Sequence, residues 1–251
     1  MHVRNNLLKV TCTMIVCFMV LSSAAAEEES PPPINVLFIG NSHTYVNDMP
    51  VVLTKMARSA KPRLVIRTVD MSKGGYTLEK HVNKGRAFKI IRDMSFDFVV
   101  LQEQSLRPIY DKKKMHEAIR RLDSAIKKSE AQTVLYMTWA LENKPKMTEP
   151  IAKAYKEIGN EIDAKVACVG LAWQKALKDR PELSLYDSDK SHANRKGTYL
   201  TACVFYATLT GGNPAGLSTG QLKGITDEEA AFLQKIAWET FKEQLPEKKS
   251  E

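Results

Sequence analysis

Short apolar runs alternate with longer segments of helical periodicity along the chain from residue 34 onward. The runs are five or six residues long and show little polar alternation, which is typical of strands buried on both faces. They predict strands at residues 35–39, 64–69, 98–102, 133–137 and 165–169. The segments between and after them predict helices at residues 49–59, 78–92, 111–128, 147–162 and 171–179. Repeated strand-helix units predict a parallel sheet inside a three-layer α/β/α sandwich of the doubly wound kind.

The C-terminal part of the chain continues this pattern with two more helices. One is predicted near residues 194–209 and closes at Gly211-Gly212. The other begins at a Thr-x-x-Glu capping box, Thr226 to Glu229, and ends before Pro246. No internal repeat or second domain is visible, so a single domain is predicted over residues 34–245, with a charged tail at 246–251.

The N-terminal residues have the pattern of a secretory signal, predicted at residues 1–26. Arg4 and Lys9 precede an apolar run at residues 10–21, and alanines at 24–26 fit the small-x-small cleavage pattern. The run is shorter than the roughly 20 apolar residues of a membrane-spanning helix. The sequence therefore predicts a secreted or periplasmic protein without a stable membrane anchor after cleavage, and an uncleaved anchor is the alternative. Residues 27–33, rich in Glu and Pro, are interpreted as a stiff exposed linker.

Composition narrows the class of protein further. Of the 251 residues, 43% are hydrophobic and 26% are charged, which excludes wholesale disorder and a polytopic membrane protein. Without residues 1–26 the chain has 35 basic and 29 acidic residues, a net charge of +6. Its lysines are scattered and lack aromatic interleaving, so no nucleic-acid partner is predicted. Cys168 and Cys203 either pair after export or are buried thiols, and their apolar surroundings favour thiols.

The first candidate for chemistry is Ser42, which follows the first predicted strand in the segment from Gly40 to Thr44. Ligands of doubly wound folds bind at the carboxyl ends of the strands. A serine hydroxyl there is well placed as a nucleophile, and the N–H groups of the turn can receive charge that develops on a carbonyl oxygen. The local sequence alone does not separate this nucleophile role from two alternatives: Ser42 as a cap of the following helix, or the turn as a phosphate-binding site.

The second candidate is the segment from Asp189 to His192, just before the helix near residue 194. A carboxylate three residues before a histidine can hold its Nδ1–H and leave Nε2 free to accept a proton from a serine. Asp187 is near enough to compete for this orienting role. Taken alone, the pattern also fits a surface histidine after a helix-capping aspartate.

Together these two segments resemble the SGNH hydrolases, also called the GDSL esterase and lipase superfamily. Residues 36–42, Val-Leu-Phe-Ile-Gly-Asn-Ser, are similar to the family's first block, with Asn41 where many members have Asp. The resemblance covers nearly all of the chain after the signal. It implies a five-stranded parallel, flavodoxin-like sheet. It also implies Ser42 as nucleophile, His192 as base and Asp189 as the orienting carboxylate.

The same resemblance implies an oxyanion hole built from three segments. Ser42 would supply its N–H, and the second block at residues 73–77 would supply the N–H of Gly75, with Gly74 as the near alternative. The third block departs from the family's Gly-x-Asn-Asp: residues 101–105 read Leu-Gln-Glu-Gln-Ser. A glutamine amide carries the same donor as asparagine, so Gln104 is predicted to complete the hole, with Gln102 as the alternative. Strand alternation would point both glutamines toward the crevice and Glu103 away from it.

The remaining histidines and Trp139 give weaker signals. His43 either lines the pocket or faces solvent, His81 is interpreted as packed or exposed, and His116 as a surface residue. None of the histidines has metal-ligand spacing, so neither a metal nor a cofactor is predicted. Trp139, after the fourth strand, is predicted to pack in the core rather than to contact substrate.

The leading interpretation is an exported serine esterase that hydrolyses O-acetyl or short acyl esters, either small molecules or esters on carbohydrates. The alternative is a non-catalytic exported glycan-binding protein on the same fold, favoured by the altered third block. A phosphate or nucleotide binder ranks third, because the first block has neither a Walker lysine nor a Gly-x-Gly-x-x-Gly run. The sequence does not indicate an oligomeric state.

Overall fold

The computed structural model describes residues 31–245. The predicted signal at residues 1–26, the first part of the predicted linker (27–30) and the predicted tail at 246–251 lie outside the described residues. Between residues 31 and 245, no helix combines the length and the apolar character needed to cross a bilayer.

The centre of the fold is a five-stranded parallel sheet with strand order β2-β1-β3-β4-β5. Its strands are β1 Ile34–Ile39, β2 Ile66–Asp70, β3 Phe98–Leu101, β4 Gln132–Tyr136 and β5 Lys165–Ala167. Each predicted strand is present, with ends shifted by at most two residues. The order reverses between β1 and β3, which makes the carboxyl ends of these strands the expected ligand crevice. The predicted α/β/α sandwich with a flavodoxin-like sheet is confirmed.

Helices cover both faces of this sheet. In chain order they are α1 Ser42–Tyr45, α2 Met49–Ala57, α3 Leu78–Lys84, α4 Arg86–Asp93, α5 Arg107–Tyr110, α6 Lys112–Lys128, α7 Thr148–Ile162, α8 Val169–Asp179, α9 Arg195–Thr210 and α10 Asp227–Glu243. The predicted capping box of α10 is confirmed in both directions. The prediction of one helix over residues 78–92 is wrong, because Gly85, at φ 72°, ends α3 in the left-handed conformation and α4 starts afresh.

Alternate residues of β1 point into two separate hydrophobic cores. Val36 and Phe38 pack with residues of α2, α8, α9 and α10 on one face of the sheet. Leu37 and Ile39 pack with residues of α3, α4, α6 and α7 on the other. Because both faces of the central strands are covered by helices, these strands are apolar at successive buried positions, as in residues 36–39 of β1 and 98–101 of β3. The edge strand β2 is less buried and keeps polar side chains at Arg67, Thr68 and Asp70.

Three side chains outside the crevice test the sequence predictions directly. Cys168 and Cys203 are buried, lie in different cores on opposite faces of the sheet, and form no disulfide within residues 31–245. The prediction of two buried thiols is therefore confirmed. The prediction that His116 is a surface residue is wrong: it is buried, and its Nε2 lies 2.9 Å from the carbonyl oxygen of Ala154. This hydrogen bond links α6 to α7 and satisfies the buried ring.

Candidate active site

Strand register brings the segments after β1, β2 and β3 together at one edge of the sheet. Ile39 pairs with Leu101, so Gly40 lies beside Gln102. On the other side, the N–H of Lys73 donates to the carbonyl oxygen of Gly40 over 3.1 Å. A Cβ at residue 40 would lie 2.5 Å from Oε1 of Gln102, so this close approach requires glycine.

Ser42 is the first residue of α1 and directly follows the helix cap Asn41. The Asn41 side chain accepts from the N–H of His43 over 3.2 Å, and its Nδ2 donates to the carbonyl oxygen of Tyr76 over 3.0 Å. Asn41 thus joins the first block to the second. Many SGNH hydrolases have an aspartate at this position. An aspartate has no amide group, so it could not donate the hydrogen bond that the carbonyl oxygen of Tyr76 accepts here.

The loop that carries His192 is held in a closed shape by its own backbone. Tyr186 and Ala193 form an antiparallel bridge, and the N–H of Asp187 donates to the carbonyl oxygen of His192 over 2.9 Å. Lys190 takes a left-handed conformation, with φ 59°, at the tip. These contacts fix the direction in which the imidazole leaves the loop.

Ser42, His192 and Asp189 form a continuous hydrogen-bonded chain. His192 Nε2 lies 2.7 Å from the Ser42 hydroxyl, although 150 residues separate the two. His192 Nδ1 bonds to Oδ2 of Asp189, whose Oδ1 accepts the backbone N–H of His192 over 2.8 Å and that of Ser191 over 2.9 Å. These bonds, led by the one from the imidazole, lower the pKa of Asp189 to about 2. Asp189 therefore stays a carboxylate at neutral pH.

The competing carboxylate, Asp187, has a different partner. Its Oδ1 accepts the N–H of Ser188 over 2.7 Å, within the same exposed turn. The structure thus brings Asp189, rather than Asp187, to the ring of His192. The family resemblance had implied Asp189, and Asp187 remained a competitor in the local sequence because both residues lie within five positions of the histidine.

Asn47 links the segment that carries Ser42 to the segment that carries His192, and the sequence gave no reason to select it. Its Nδ2 donates to the carbonyl oxygen of Ala193 and to the Thr198 hydroxyl, each over 2.9 Å. Asn47 has φ 54°, a left-handed conformation that asparagine adopts more readily than most residues. The segment after Ser42 is thereby fastened to the segment after His192.

His43 and Trp139 form an aromatic wall behind the imidazole of His192. The His43 ring centroid lies 5.0 Å from that of His192 and 5.2 Å from that of Trp139. Burial, reinforced by the neighbouring His192, lowers the pKa of His43 to about 4, so it adds no positive charge at neutral pH. Trp139 stacks on Trp173 at 4.0 Å, as predicted for core packing, and also donates from Nε1 to the carbonyl oxygen of Ser191 over 2.9 Å.

Two backbone N–H groups near Ser42 are free to act as donors. Ser42 opens α1, and the first N–H groups of a helix have no acceptor inside it. Gly75 lies in an exposed turn with φ 70°, and its N–H makes no hydrogen bond to any residue between 31 and 245. Gly74, the near alternative, sits against Tyr45: a Cβ there would lie 3.0 Å from the tyrosine hydroxyl.

The two glutamines of the third block have different environments. Gln102 is fully buried; its Oε1 accepts the N–H of Asn41 over 2.8 Å and the Thr44 hydroxyl over 3.0 Å, and its Nε2 donates to the carbonyl oxygen of Glu103. The expectation that Gln102 faces the crevice is therefore wrong, because β3 ends at Leu101 and strict alternation stops there.

Gln104 is partly exposed and holds its own turn. Its Oε1 accepts the N–H of Leu106 over 3.0 Å, and its Nε2 donates to the Ser105 hydroxyl over 3.2 Å. An amide nitrogen carries two hydrogens, so this arrangement leaves one for another acceptor.

Glu103, between the glutamines, is a fully buried acid that the sequence did not mark as important. Its Oε1 accepts the N–H of Gln104 over 2.6 Å and the N–H of Leu78 over 3.2 Å, and thus joins the third block to the start of α3. Burial raises the pKa of Glu103 to about 7, and the two N–H bonds and nearby Arg107 counteract that rise only in part.

His81, which the sequence left as either packed or exposed, is packed, and its Nε2 lies 2.8 Å from the carbonyl oxygen of Gly40. Within residues 31–245, no three His, Cys, Asp or Glu side chains are grouped so that they could hold a metal ion.

Comparisons with known proteins place this geometry in context. No protein-family model matches the chain, and no curated protein matches it in sequence. Solved structures do match. A protein from Slackia heliotrinireducens assigned to the SGNH hydrolases is 25% identical, with a TM-score of 0.60 over 71% of this chain and 100% of that chain. A DUF4886 family protein from Bacteroides uniformis is 23% identical, with a TM-score of 0.70 over 83% of this chain and 95% of that one.

A third similar structure belongs to Axe2, an acetylxylan esterase from Geobacillus stearothermophilus. It is 17% identical, with a TM-score of 0.58 over 70% of this chain and 94% of that chain. The likeness extends over nearly the full length of each of these proteins, and in this chain the matching fold is a five-stranded parallel sheet flanked by helices. The chain therefore has the SGNH hydrolase fold, and the resemblance to that superfamily in its sequence is confirmed.

Proposed function

We propose that the protein is a serine esterase that uses Ser42, His192 and Asp189. The observation that carries this proposal is the hydrogen-bonded chain from the Ser42 hydroxyl through both nitrogens of His192 to Asp189, at the carboxyl end of β1. A serine, a histidine and a carboxylate in this order have the roles of nucleophile, base and orienting group. Similarity to structures of esterases supports the same reaction class.

The geometry supports a two-step acyl transfer. His192 Nε2 takes the proton of Ser42 as its oxygen attacks the ester carbonyl, while Asp189 stabilises the resulting imidazolium. The imidazolium then protonates the alcohol as the ester C–O bond breaks, which leaves an acylated Ser42. Water, deprotonated by the same imidazole, attacks the acyl group and releases the acid. Neither step requires a cofactor.

The oxyanion formed in each step would be held by the N–H groups of Ser42 and Gly75. Both are free of partners within the described chain, and removal of one such donor typically costs about 10²–10³ in turnover. Gln104 is the candidate for the third donor, since Gln102 is fully buried and its amide serves the turn at Asn41. The substrates that we infer are O-acetyl or short acyl esters, including those on carbohydrates, in line with the acetylxylan esterase among the similar structures.

We further infer that the protein is exported, because residues 1–26 have the three regions of a signal peptide. Intact mass of the protein recovered from the culture medium or periplasm tests this inference. A chain that begins at or near Glu27 supports export with cleavage, whereas a full-length chain in the membrane fraction would show an uncleaved anchor.

The experiment that tests esterase activity combines a fluorophosphonate probe with a chromogenic acetyl ester. We expect the probe to add one phosphonyl group at Ser42, located by peptide mass spectrometry, and the ester to be hydrolysed. Ser42→Ala should abolish both, because it removes the nucleophile but little packing. Ser188→Ala, in the exposed turn beside the triad, is the matched control and should retain full activity.

The second candidate function, a glycan-binding protein without catalysis, is favoured by the engagement of both third-block amides in the turns around them. An unlabelled Ser42 and an unchanged ester, together with binding of a xylo-oligosaccharide, would establish that function and exclude the esterase.

A further inference from the structure

A cavity of about 530 Å³ lies at the carboxyl end of the edge strand β2, beside the candidate active site. One wall is the segment that follows β2, and the other is the junction between α3 and α4. Its lining includes Asp70, Ser72, Lys73, Tyr76, Lys84 and Arg86. The volume falls in the range of about 300–1,000 Å³ that small-molecule sites occupy, and exceeds what a single inorganic anion fills.

The charges around this cavity are mostly positive and unpaired. Lys73, Lys84 and Arg86 are exposed, and none of them forms an ion pair with an acid in the part of the chain that the structure describes. Asp70 is the acid in the lining, and its Oδ1 is engaged by the N–H of Ser72 over 2.8 Å. Three cations against one carboxylate leave a net charge of +2 around a concave site, which favours an anionic occupant.

Two further features of the lining fit a polar, negatively charged group. Ser72 lines the cavity, and its buried hydroxyl oxygen has no hydrogen-bond partner within residues 31–245, so the wall contains a polar group that no side chain or backbone group of the described chain satisfies. Lys73 is positioned by the ring of Tyr76, whose centroid lies 5.0 Å from the ammonium nitrogen. Ammonium, guanidinium and hydroxyl donors around one space are the groups that bind a carboxylate.

The wall of the cavity is also the second block of the candidate active site. The N–H of Lys73 bonds to Gly40, the carbonyl oxygen of Tyr76 bonds to Asn41, and the proposed oxyanion donor Gly75 lies between Lys73 and Tyr76. An occupant of the cavity would therefore contact the same loop that carries the proposed oxyanion donor Gly75. This position suits a part of the substrate other than the ester bond that is cleaved.

We propose that this cavity binds the carboxylate of an acidic saccharide, so that the preferred substrate is an O-acylated oligosaccharide containing uronic acid. The proposal rests on the esterase function inferred above and assigns its substrate class. Lys84 and Arg86, at the junction of α3 and α4, hold the carboxylate from one wall, and Lys73 holds it from the loop after β2.

The test compares two acetylated oligosaccharides of equal length. The acidic one is an O-acetylated oligogalacturonate, and the neutral one is an O-acetylated xylo-oligosaccharide. We expect the wild-type protein to prefer the acidic ester in kcat/KM, with the difference in KM. The preference should shrink as salt rises from about 0.01 M to about 1 M, because the Debye length falls from about 30 Å to about 3 Å. Activity on the neutral ester should change little over the same range.

Two double variants separate a local site from overall charge. Lys84→Gln with Arg86→Gln should raise KM for the acidic ester by roughly tenfold, since two exposed ionic contacts contribute about threefold each. Lys89→Gln with Arg92→Gln removes the same charge from exposed positions of α4 that do not line the cavity, and should leave KM nearly unchanged. Neither pair should alter kcat on the neutral ester.

The results distinguish this proposal from the esterase proposal. Equal kcat/KM on both esters, or equal losses in the two double variants, would overturn the acidic-substrate assignment while leaving the esterase intact. If no ester is hydrolysed, calorimetry with unmodified oligogalacturonate decides separately. Binding that the Lys84/Arg86 pair weakens and the Lys89/Arg92 pair does not would support the cavity as a site, and no binding would refute it.

Discussion

Replacing Gln102 by leucine tests how the turn that carries Ser42 is held. The change keeps a buried side chain of similar size but removes the oxygen that accepts the Asn41 N–H and the Thr44 hydroxyl. Each buried donor left without a partner costs about 1–3 kcal/mol. We therefore expect Gln102→Leu to lose about 3–5 kcal/mol of unfolding free energy, a large part of the roughly 5–15 kcal/mol that stabilises a typical domain.

Thr44→Val provides a graded comparison. It removes one of the two donors while Gln102 Oε1 keeps the other, so no buried group is left without a partner. The expected loss is about 0.5–1.5 kcal/mol, the net value of one hydrogen bond. Gln104→Ala, at the partly exposed neighbour, should lose less than about 1 kcal/mol but lower turnover by roughly 10²-fold if its amide serves the oxyanion.

Urea denaturation followed by tryptophan fluorescence, alongside kinetics on one acetyl ester, gives both quantities for each variant. We expect Gln102→Leu to lower turnover as well as stability, because a displacement of about 1 Å at the nucleophile can cost 10²-fold. A loss of less than about 1 kcal/mol in Gln102→Leu, with an unchanged m-value, would refute the conclusion that this amide holds the turn. Wild-type turnover in Gln104→Ala would remove Gln104 from the oxyanion hole.

Three more predictions concern the side chains around the triad. Asp189→Asn should lower turnover by about 10⁴-fold by favouring the wrong imidazole tautomer, and Asp187→Asn should change it by less than about threefold; kinetics that reverse this order would contradict the triad. His43→Ala should lower kcat by about 10- to 100-fold with little effect on KM, because it removes the ring behind His192, whereas His43→Phe should retain most activity. Burial raises the pKa of Glu103 from 4.5 to about 7, so the folded protein keeps a proton that the unfolded chain has lost, and stability should fall as pH rises between these values, by at most about 3 kcal/mol. Glu103→Gln should flatten that slope in pH-dependent urea melts, and a slope equal to wild type would show that Glu103 does not titrate there.

The sheet and most of its helices follow from local sequence. A strand covered on both faces must be apolar at successive positions, and this requirement is visible in β1 as Val36 to Ile39 without reference to the rest of the chain. The capping box at Thr226 is equally local. The prediction of a single helix over residues 78–92 is wrong because the apolar periodicity continues through Gly85. The left-handed conformation of that residue ends α3, and α4 begins after it.

Residue identity and position along the chain suggested Ser42, His192 and Asp189, because strand ends in this fold converge on one crevice. The family resemblance implied Asp189, but the local sequence left Asp187 as a competitor, since the choice depends on how the turn at Lys190 bends back toward His192. His116 was misplaced for a similar reason. Its burial depends on α7 packing against α6, which no local pattern encodes.

Contacts between distant segments were decided by the tertiary structure alone. The register of β1 with β3 sets Gln102 beneath the Ser42 turn, and Asn47 reaches across 146 residues to Ala193. The cavity with Lys73, Lys84 and Arg86 likewise appears only when the loop after β2 meets the junction of α3 and α4. The physical reason is that burial pattern and capping are properties of neighbouring residues, whereas a hydrogen bond between distant segments exists only after the strands have paired and the helices have packed.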